Sequence, residues 1–307
     1  MGWIGWTVTI LLVLAASLLA GWRYAHATGA VGVLDLADRT IGGANGTRLV
    51  ASGTRYGPLP AQRLDVIAPD TPGPHPVLVF IHGGGWNSGR PEDYHFIGRT
   101  FARAGYVVVL PGYRLGPDGV YPHMLEDGAA AVAWTAANVA RFGGDPAQVV
   151  LMGHSAGAHT VAMLGLERRW LAQQGLPEGF VKGVIGLSGP YDFHPFTSDS
   201  ARSAFGHVKD PRLTQPITFA RGDAPPMLLL TGDADTTVKP RNSKVLARTL
   251  TEKGARAELV ILLGIDHAGP VLKLAQPFAR DASVSAPILA FLASLHQASA
   301  PVQAPAD

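Results

Sequence analysis

The chain of 307 residues contains no cysteine, and only 16% of its residues carry a charge. A thiol nucleophile, a disulfide framework and any cysteine-ligated zinc or iron–sulfur site are therefore excluded. The 25 basic and 23 acidic residues nearly cancel and form no basic block, so the charge pattern indicates no nucleic-acid partner. With 47% hydrophobic residues the chain can bury a sizeable core, which excludes intrinsic disorder of the whole.

Charge is missing altogether from residues 1–22, which as a helix from Trp3 to Trp22 would span about 30 Å, the hydrocarbon thickness of a bilayer. The tryptophans at both ends of this run fit an aromatic belt. The sequence AHA at 25–27 has the form of a signal-peptide cleavage site, whereas the length of the run and the lack of a preceding Lys or Arg favour a retained anchor. We therefore expect residues 1–27 to be a membrane anchor or signal segment. The remaining chain is expected to be exported or membrane-anchored, with its orientation left open.

Short β-branched runs alternate with longer helical stretches between residues 61 and 297. This alternation predicts a single α/β domain, in which a mostly parallel sheet carries helices on both faces. The predicted strands are Arg63–Ala68, Val77–His82, Tyr106–Leu110, Val149–Met152, Val184–Leu187, Met227–Leu230 and Glu258–Leu263. The predicted helices lie near 92–104, 124–141, 156–171, 241–253 and 284–297, and Asp145-Pro146 and Pro240 indicate helix or turn starts. Residues 28–60 are predicted to be an irregular linker and lead-in segment, and residues 298–307 a flexible tail.

One interval, residues 190–225, breaks this alternation between the fifth and sixth predicted strands. It is rich in Pro, Phe, Asp and Ser and has little helical period. Long connections in compact domains are usually functional or disordered. We therefore predict a short cap insertion that covers something apolar with the phenylalanines Phe193, Phe196, Phe205 and Phe219.

The strongest chemical signal is the sequence GHSAG at 153–157, directly after the predicted strand Val149–Met152 and directly before a helical stretch. The pattern G-x-S-x-G places a serine on a tight strand-to-helix turn, where small residues two positions away let the strained backbone pack closely. The turn exposes the hydroxyl of Ser155 and directs the N-terminus of the following helix at a developing oxyanion. This context predicts a nucleophilic serine.

A second motif, HGGGW at 82–86, lies at the C-terminal end of the predicted strand Val77–His82. Successive glycines let backbone N–H groups turn into a cavity without obstruction by Cβ atoms. Acyl transfer needs such donors, because the carbonyl oxygen gains charge as the tetrahedral intermediate forms. Its place some 70 residues before the serine motif favours this role over an ordinary glycine-rich turn.

A nucleophilic serine needs a base, and eleven histidines compete for that role. His267 is favoured because it lies in GIDHAG, just after the last predicted strand. His82 and His154 lie inside the two motifs and are interpreted as structural hydrogen-bonding residues. His123 precedes a predicted helix and is a candidate to line the pocket.

Two aspartates in the sequence GDADTTV at 232–238 compete to orient the histidine. Asp233 follows the strand directly, where its side chain can bond local N–H groups as an Asx turn. Asp235 lies two residues further into the loop and is better placed to reach a histidine on a neighbouring loop. The predicted order along the chain is therefore Ser155, Asp235, His267.

Together these motifs resemble the α/β-hydrolase superfamily over about residues 50–295, and within it the esterase/lipase group. That group includes hormone-sensitive-lipase-like, feruloyl-esterase-like and kynurenine-formamidase-like branches. The resemblance implies Ser155 as nucleophile, His267 as base and Asp235 as its orienting carboxylate. It also implies an oxyanion hole from the backbone of Gly84, Gly85 and Ala156. The pocket candidates are Trp86, His123, Phe193 and Phe196.

One departure concerns residues 112–114, where many members of the group carry Asp-Tyr-Arg and this chain has Gly-Tyr-Arg. The missing acid is expected to leave Arg114 without its usual neighbour. This difference bears on the assignment to a branch of the group more than on catalysis.

The expected function is the hydrolysis of short-chain carboxylic esters through an acyl-enzyme, with a small-molecule ester as partner and no metal or organic cofactor. An arylformamidase and a small serine peptidase use the same residues and remain alternatives within enzymology. A non-catalytic, membrane-tethered binding module is the alternative from another class. The natural acyl and alcohol groups and the oligomeric state stay open.

Overall fold

The computed structural model describes Trp6 and residues 31–278 and 280–299. Its centre is an eight-stranded sheet in the order β1-β2-β4-β3-β5-β6-β7-β8. The strands are β1 Thr47–Arg55, β2 Arg63–Pro69, β3 His75–Ile81, β4 Val107–Pro111, β5 Gly144–His154, β6 Val181–Leu187, β7 Met227–Gly232 and β8 Ala257–Leu262. Only β2 runs against its neighbours, since it pairs antiparallel with both β1 and β4 while the pairs from β4 to β8 are parallel. The predicted α/β fold with a mostly parallel sheet is confirmed.

Helices cover both faces of this sheet, as the alternating pattern predicts. The helices are α1 over 31–42, α2 His95–Arg103, α3 His123–Asn138, α4 Ala156–Leu166, α5 Arg169–Ala172, α6 Asp199–Phe205, α7 Arg241–Glu252, α8 Gly269–Leu272 and α9 Ser285–Ser299. Buried side chains of α3, α4 and α7 pack on one face, and those of α2 and α9 pack on the other. Each of the five predicted helices is present, and α7 begins directly after Pro240.

Residues 28–60 are expected to be an irregular linker and lead-in segment, and the irregular part of that expectation is wrong, because the segment contains α1 and β1. Strand β1 alternates only weakly between buried and exposed side chains, because it is an edge strand with an irregular register against β2. Its pairing partner, rather than its own pattern, makes it a strand. Helix α1 is likewise held by tertiary contacts.

Those contacts centre on Arg99 of α2, whose side chain is only 7% exposed. Its Nη2 lies 2.7 Å from Oδ1 of Asp35 and 2.6 Å from Oδ2 of Asp38, both on α1. The other oxygen of Asp38 accepts a hydrogen bond from the N–H of Gln276 at 2.6 Å. Helix α1 is therefore an integral part of the folded domain.

Of the two possibilities predicted for Asp145-Pro146, a helix start or a turn start, the structure shows a turn, in the irregular start of β5. There Oδ1 of Asp145 accepts a hydrogen bond from the N–H of Ala147 at 2.9 Å, the bond of an Asx turn. The turn signal of the sequence is thus local, and the strand resumes beyond it.

The C-terminal ends of the parallel strands lie along one edge of the sheet, which is where open α/β folds form their sites. The cap interval 190–225 follows β6 at this edge and contains α6 together with 3₁₀ turns at Pro211–Thr214 and Pro216–Phe219. Among the residues that the structure describes, no helix is long and apolar enough to cross a membrane. The predicted anchor at 1–27 lies outside the described residues except for Trp6, and α9 extends to Ser299, into the predicted tail.

Candidate active site

Ser155 occupies the sharp turn between β5 and α4, with a positive φ of 53°. A left-handed backbone is unusual for a residue other than glycine, and such strain is commonly found at functional turns. The turn is tight because Gly157 packs against the carbonyl oxygens of Ile81 and His82, where a Cβ atom would overlap them. The small residues of the G-x-S-x-G pattern thus permit this backbone, as the sequence predicts.

Three side chains from three different loops form a continuous hydrogen-bonded chain at this turn. His267, on the loop after β8, places its Nε2 atom 2.9 Å from Oγ of Ser155. Its Nδ1 atom lies 2.8 Å from Oδ2 of Asp235, on the loop after β7. The imidazole can therefore accept the hydroxyl proton at one nitrogen while the carboxylate holds the N–H of the other.

The carboxylate of Asp235 is fully shielded from solvent, yet it is held in its ionised form. Burial by itself would raise its pKa, but hydrogen bonds from His267 and from two backbone N–H groups outweigh this and lower the pKa below its ordinary value. The two N–H groups belong to Thr237 and Val238 and donate to Oδ1 at 2.9 and 2.8 Å. A buried negative charge thus faces His267 at neutral pH.

Asp233 is exposed and does not contact His267. Its Oδ1 accepts a hydrogen bond of 2.6 Å from the N–H of Gly264, on the loop after β8. The expected local Asx turn is therefore wrong, because the loops after β7 and β8 are neighbours and the carboxylate bridges them. Asp233 supports the loop that carries His267, and Asp235 contacts the histidine itself.

The two motif histidines have structural contacts. His154 lies 3.0 Å from the carbonyl oxygen of His267, to which its Nε2–H donates, and thereby holds the loop of that residue. His82 donates from Nδ1 to the carbonyl of Gly83 at 2.7 Å and stacks between Tyr94 and Tyr113. Burial lowers the pKa of each histidine to about 4, so both rings are neutral at physiological pH.

The glycine loop after β3 lies directly against Ser155, since a Cβ on Gly83 would be 3.2 Å from the serine Cβ. Gly84 and Gly85 have φ values of 116° and 60°, which side chains other than glycine rarely adopt. Within the described residues, their N–H groups donate to no backbone carbonyl or side chain. Ala156 is the first residue of α4, where the N–H groups of a helix lack partners inside the helix. Unpaired donors thus lie on both sides of the serine.

Ser155, His267 and Gly84 line a cavity of about 600 Å³ at this edge of the sheet. Trp86 and Phe193 also line it, with their rings stacked at 6.1 Å between centroids. An apolar wall therefore lies beside Ser155.

Two of the pocket candidates are not among the lining residues. His123 turns its Nδ1 toward the carbonyl oxygen of Asp118 at 3.1 Å, because α3 begins beside the 116–119 turn. Phe196 lies behind Phe193 and packs against that ring and against the fully buried Phe205. Both predictions of direct lining are therefore wrong, and Phe196 supports the wall from the second layer.

Comparison with known proteins identifies the family. The sequence profile of the BD-FAE family matches residues 64–250, more than half of the chain. The chain belongs to the BD-FAE family. The match includes the serine turn, the glycine loop and Asp235, and it ends before His267.

Relatives of this BD-FAE protein include named esterases. Isoprenylcysteine alpha-carbonyl methylesterase of Arabidopsis thaliana is 31% identical over 234 residues, which cover 69% of this chain and 55% of that protein. Esterase LipC of Mycobacterium tuberculosis is 32% identical over 216 residues, covering 64% of this chain and 53% of that protein. The chain thus spans about half the length of the curated relatives it matches.

Solved structures carry the same fold. Esterase B from Lactobacillus rhamnosis superposes with a TM-score of 0.73 at 19% identity, covering 94% of this chain and 96% of that one. The hyperthermophilic esterase of Pyrobaculum calidifontis gives a TM-score of 0.70 at 23% identity, covering 89% and 94%. The resemblance to the α/β-hydrolase fold and to its esterase/lipase group is confirmed.

In this BD-FAE domain Arg114 has carboxylate partners, contrary to the expectation from residues 112–114. Its Nη2 lies 2.9 Å from the buried carboxylate of Asp127 and 3.1 Å from Glu126, both on α3. Gly112 leaves no room for an acid, since a Cβ there would lie 2.9 Å from the carbonyl oxygen of Ala61. The carboxylate that balances the arginine therefore comes from α3.

Several residues of the BD-FAE cavity were not predicted. Six of them place polar or charged side chains at the cavity wall: Asp192, Ser200, Thr237, Lys239, Arg241 and Asn242. Val31 of α1 also lines the cavity. The sequence could have indicated Thr237, because this residue lies only two positions after Asp235. Nothing in the sequence near Val31 or Asn242 indicates that either residue lines the cavity.

Proposed function

We propose that this chain is a serine-dependent hydrolase of carboxylic esters that works through an acyl-enzyme. The observation that carries the proposal is the hydrogen-bonded chain from Ser155 through His267 to Asp235, beside the unpaired N–H groups of Gly84 and Gly85. A nucleophile, a base, an orienting carboxylate and oxyanion donors are the parts that acyl transfer requires.

In the first half-reaction Oγ of Ser155 attacks the ester carbonyl, and Nε2 of His267 takes the hydroxyl proton. The oxygen that becomes negative is stabilised by the N–H groups of Gly84, Gly85 and Ala156. The C–O bond to the alcohol then breaks as His267 returns the proton to the leaving oxygen. Asp235, ionised and buried, stabilises the imidazolium that forms between these two steps.

In the second half-reaction water attacks the acyl group on Ser155, and His267 takes a proton from that water. Collapse of the tetrahedral intermediate breaks the acyl–serine bond, releases the acid and returns the proton to the serine oxygen. Each oxyanion donor contributes about 10²–10³ in turnover in enzymes of this kind. Both half-reactions use only the residues of the chain, the ester and one water molecule.

Two observations support esters, and short ones, as substrates. The named relatives are a methylesterase and an esterase, which favours an ester over a formamide or a peptide. The apolar wall of Trp86 and Phe193 lies beside Ser155 in a cavity of about 600 Å³. A compact acyl group fits this wall better than a long chain.

Labelling with a fluorophosphonate probe tests the mechanism, with Ser155→Ala as the matched control. We expect one adduct on the wild-type protein and none on the variant. An unlabelled but correctly folded wild-type protein would support a binding module instead.

A substrate panel tests the specificity. The panel is a series of p-nitrophenyl esters with acyl chains of about two to sixteen carbons. We expect kcat/KM to be highest for the short esters, because a cavity of this class encloses a ligand of limited size. A maximum at about twelve carbons or beyond would contradict the inference that the cavity prefers compact acyl groups. Faster turnover of N-formylkynurenine or of an aminoacyl anilide would favour the arylformamidase or the peptidase.

We also propose that residues 1–27 hold the domain at a membrane or direct its export. The support is the uncharged run at 1–22, which is long enough to span a bilayer as a helix. Cell fractionation of the full chain, compared with a chain that starts at Thr28, tests this. We expect the full chain in the membrane or exported fraction, and recovery of both forms in the cytoplasm would contradict it.

A further inference from the structure

Four successive backbone N–H groups at residues 191–194, here called the 191–194 wall, are bound by two side-chain amides. The first two N–H groups donate to Oδ1 of Asn242, each at 2.9 Å. The next two donate to Oε1 of Gln215, at 2.7 and 3.2 Å. In the described part of the chain, these four groups donate to no backbone carbonyl. The position of the wall therefore depends on two carbonyl oxygens that are remote in sequence.

Both amides are buried, and each hydrogen-bonds to the protein through its oxygen and its nitrogen. Asn242 is 8% exposed and Gln215 is 4% exposed. The NH₂ group of Asn242 donates to the carbonyl oxygen of Lys239 at 3.2 Å, and that of Gln215 donates to Oγ1 of Thr214 at 2.7 Å. A buried N–H group without an acceptor is strongly unfavourable. Loss of either oxygen would therefore move the wall toward water.

The wall carries side chains that shape the cavity. Phe193 lines it and stacks on Trp86, the residue that directly follows the glycine loop. Asp192 lines it as well and pairs with Arg241, whose Nη2 lies 2.5 Å from Oδ2. The distance between the wall and the glycine loop thus sets the space beside Ser155.

We propose that Asn242 and Gln215 are positioning residues that set the acyl and alcohol selectivity of the enzyme by fixing the 191–194 wall. This inference rests on the proposed ester hydrolysis at Ser155. The hydrogen bonds of the two amides go to the wall, to Lys239 and to Thr214 rather than to the catalytic side chains. They act on substrate fit, and the acid–base chemistry stays with His267.

The central experiment compares Asn242→Leu with Asn242→Asp in the full chain. Leucine has the same number and branching of non-hydrogen side-chain atoms but no acceptor, so both N–H groups lose their partner. Aspartate keeps an acceptor oxygen, and its charge is favourable in the first turn of α7. We expect the leucine variant to raise KM for esters of six or more carbons by roughly 10- to 100-fold, since a displacement near 1 Å can produce an effect of that size. The aspartate variant should restore the wild-type order of preference along the acyl series.

Asn138→Leu is the control, because it removes an asparagine amide whose hydrogen bonds, within the described residues, go to Trp134 and Arg141, away from the cavity. It should leave the acyl-chain profile unchanged. An unchanged profile in Asn242→Leu would overturn the proposal. So would a loss of kcat alone, equal for all esters, because that would place Asn242 in the chemical step.

If Asn242→Leu does not fold, as judged by circular dichroism and Tm, the same comparison is made between Gln215→Leu and Gln215→Glu. If neither leucine variant folds, Asn242→Ala removes the acceptor without adding a bulky side chain, and an unaltered profile in this variant overturns the proposal. Fluorophosphonate labelling of the wild-type protein tests the proposed hydrolase activity separately from the positioning role of Asn242 and Gln215. An unlabelled wild-type protein means that the proposed function itself has failed, before any variant is compared.

Discussion

Acid should destabilise this protein between pH 6.5 and 4, because three buried histidines are held neutral. They are His82, His154 and His159, and burial lowers the pKa of each from 6.5 to about 4. Each ring donates one N–H to a backbone carbonyl, as His159 does to Thr214 at 2.8 Å. On unfolding at pH 5, each ring would leave this environment and bind a proton.

The sign and the size follow from proton linkage. Because the folded pKa lies below the unfolded one, the unfolded chain binds more protons between pH 4 and 6.5, and stability falls as the pH falls through this window. The difference between the pKa in the unfolded chain and the pKa in the folded protein corresponds to about 3 kcal/mol of unfolding free energy per histidine. Three such groups give roughly 10 kcal/mol, comparable with the whole stability of a typical domain.

Two partly buried acids, Asp35 and Glu167, act in the opposite direction. Burial raises the pKa of Asp35 and of Glu167, so each releases a proton on unfolding. The free energy of unfolding therefore changes less steeply with pH than it would with the three histidines alone. A comparison with a variant that lacks one titrating ring isolates the histidine contribution.

His159→Gln is that variant, since the glutamine NH₂ group can reach the carbonyl oxygen of Thr214 but binds no proton. Urea unfolding of both proteins at pH 7.5, 6.5, 5.5 and 4.5 gives the free energy of unfolding at each pH. We expect the slope in the variant to be smaller by up to about 1.4 kcal/mol per pH unit. Parallel curves for the two proteins would refute the assignment of His159 as a buried neutral base.

Two further predictions concern the loop after β7 and helix α1. Asp235→Asn should lower kcat by about 10⁴ with little change in Tm, because the amide leaves the imidazolium uncompensated and permits the wrong tautomer. Asp233→Asn should act mainly on stability, by roughly 1 kcal/mol for a single hydrogen bond. Steady-state kinetics and thermal melts distinguish them, and an inactive but folded Asp233→Asn with an active Asp235→Asn would reverse the assignment. A chain that starts at Thr28 should stay folded and active, whereas one that starts at Gly43 removes both acids from Arg99 and should lose about 3–5 kcal/mol in denaturant titrations. Equal stability of the two shortened chains would show that α1 is dispensable.

Local sequence patterns determined most of the sheet and the helices on its faces. Strand β3 contains the apolar run Val77–Ile81 and strand β7 the apolar run Met227–Leu230, as strands buried on both faces require, so a short window of sequence suffices to find them. The serine turn and the glycine loop are equally local, because their conformations require particular residues at adjacent positions. For the same reason Ser155, His267 and Asp235 could be selected from the sequence, although their catalytic roles stay predictions.

Only the tertiary structure decided which distant residues meet. Helix α1 and strand β1 are weakly patterned, and they are held by Arg99 and by pairing with β2. The carboxylate beside Arg114 comes from α3, and the acceptors for the 191–194 wall come from residues more than 20 positions away. Each of these contacts joins polar groups that lie far apart in the sequence. The fold buries both groups at the same place, where they must hydrogen-bond to each other. A sequence window contains the donor without its acceptor, and therefore cannot predict such a contact.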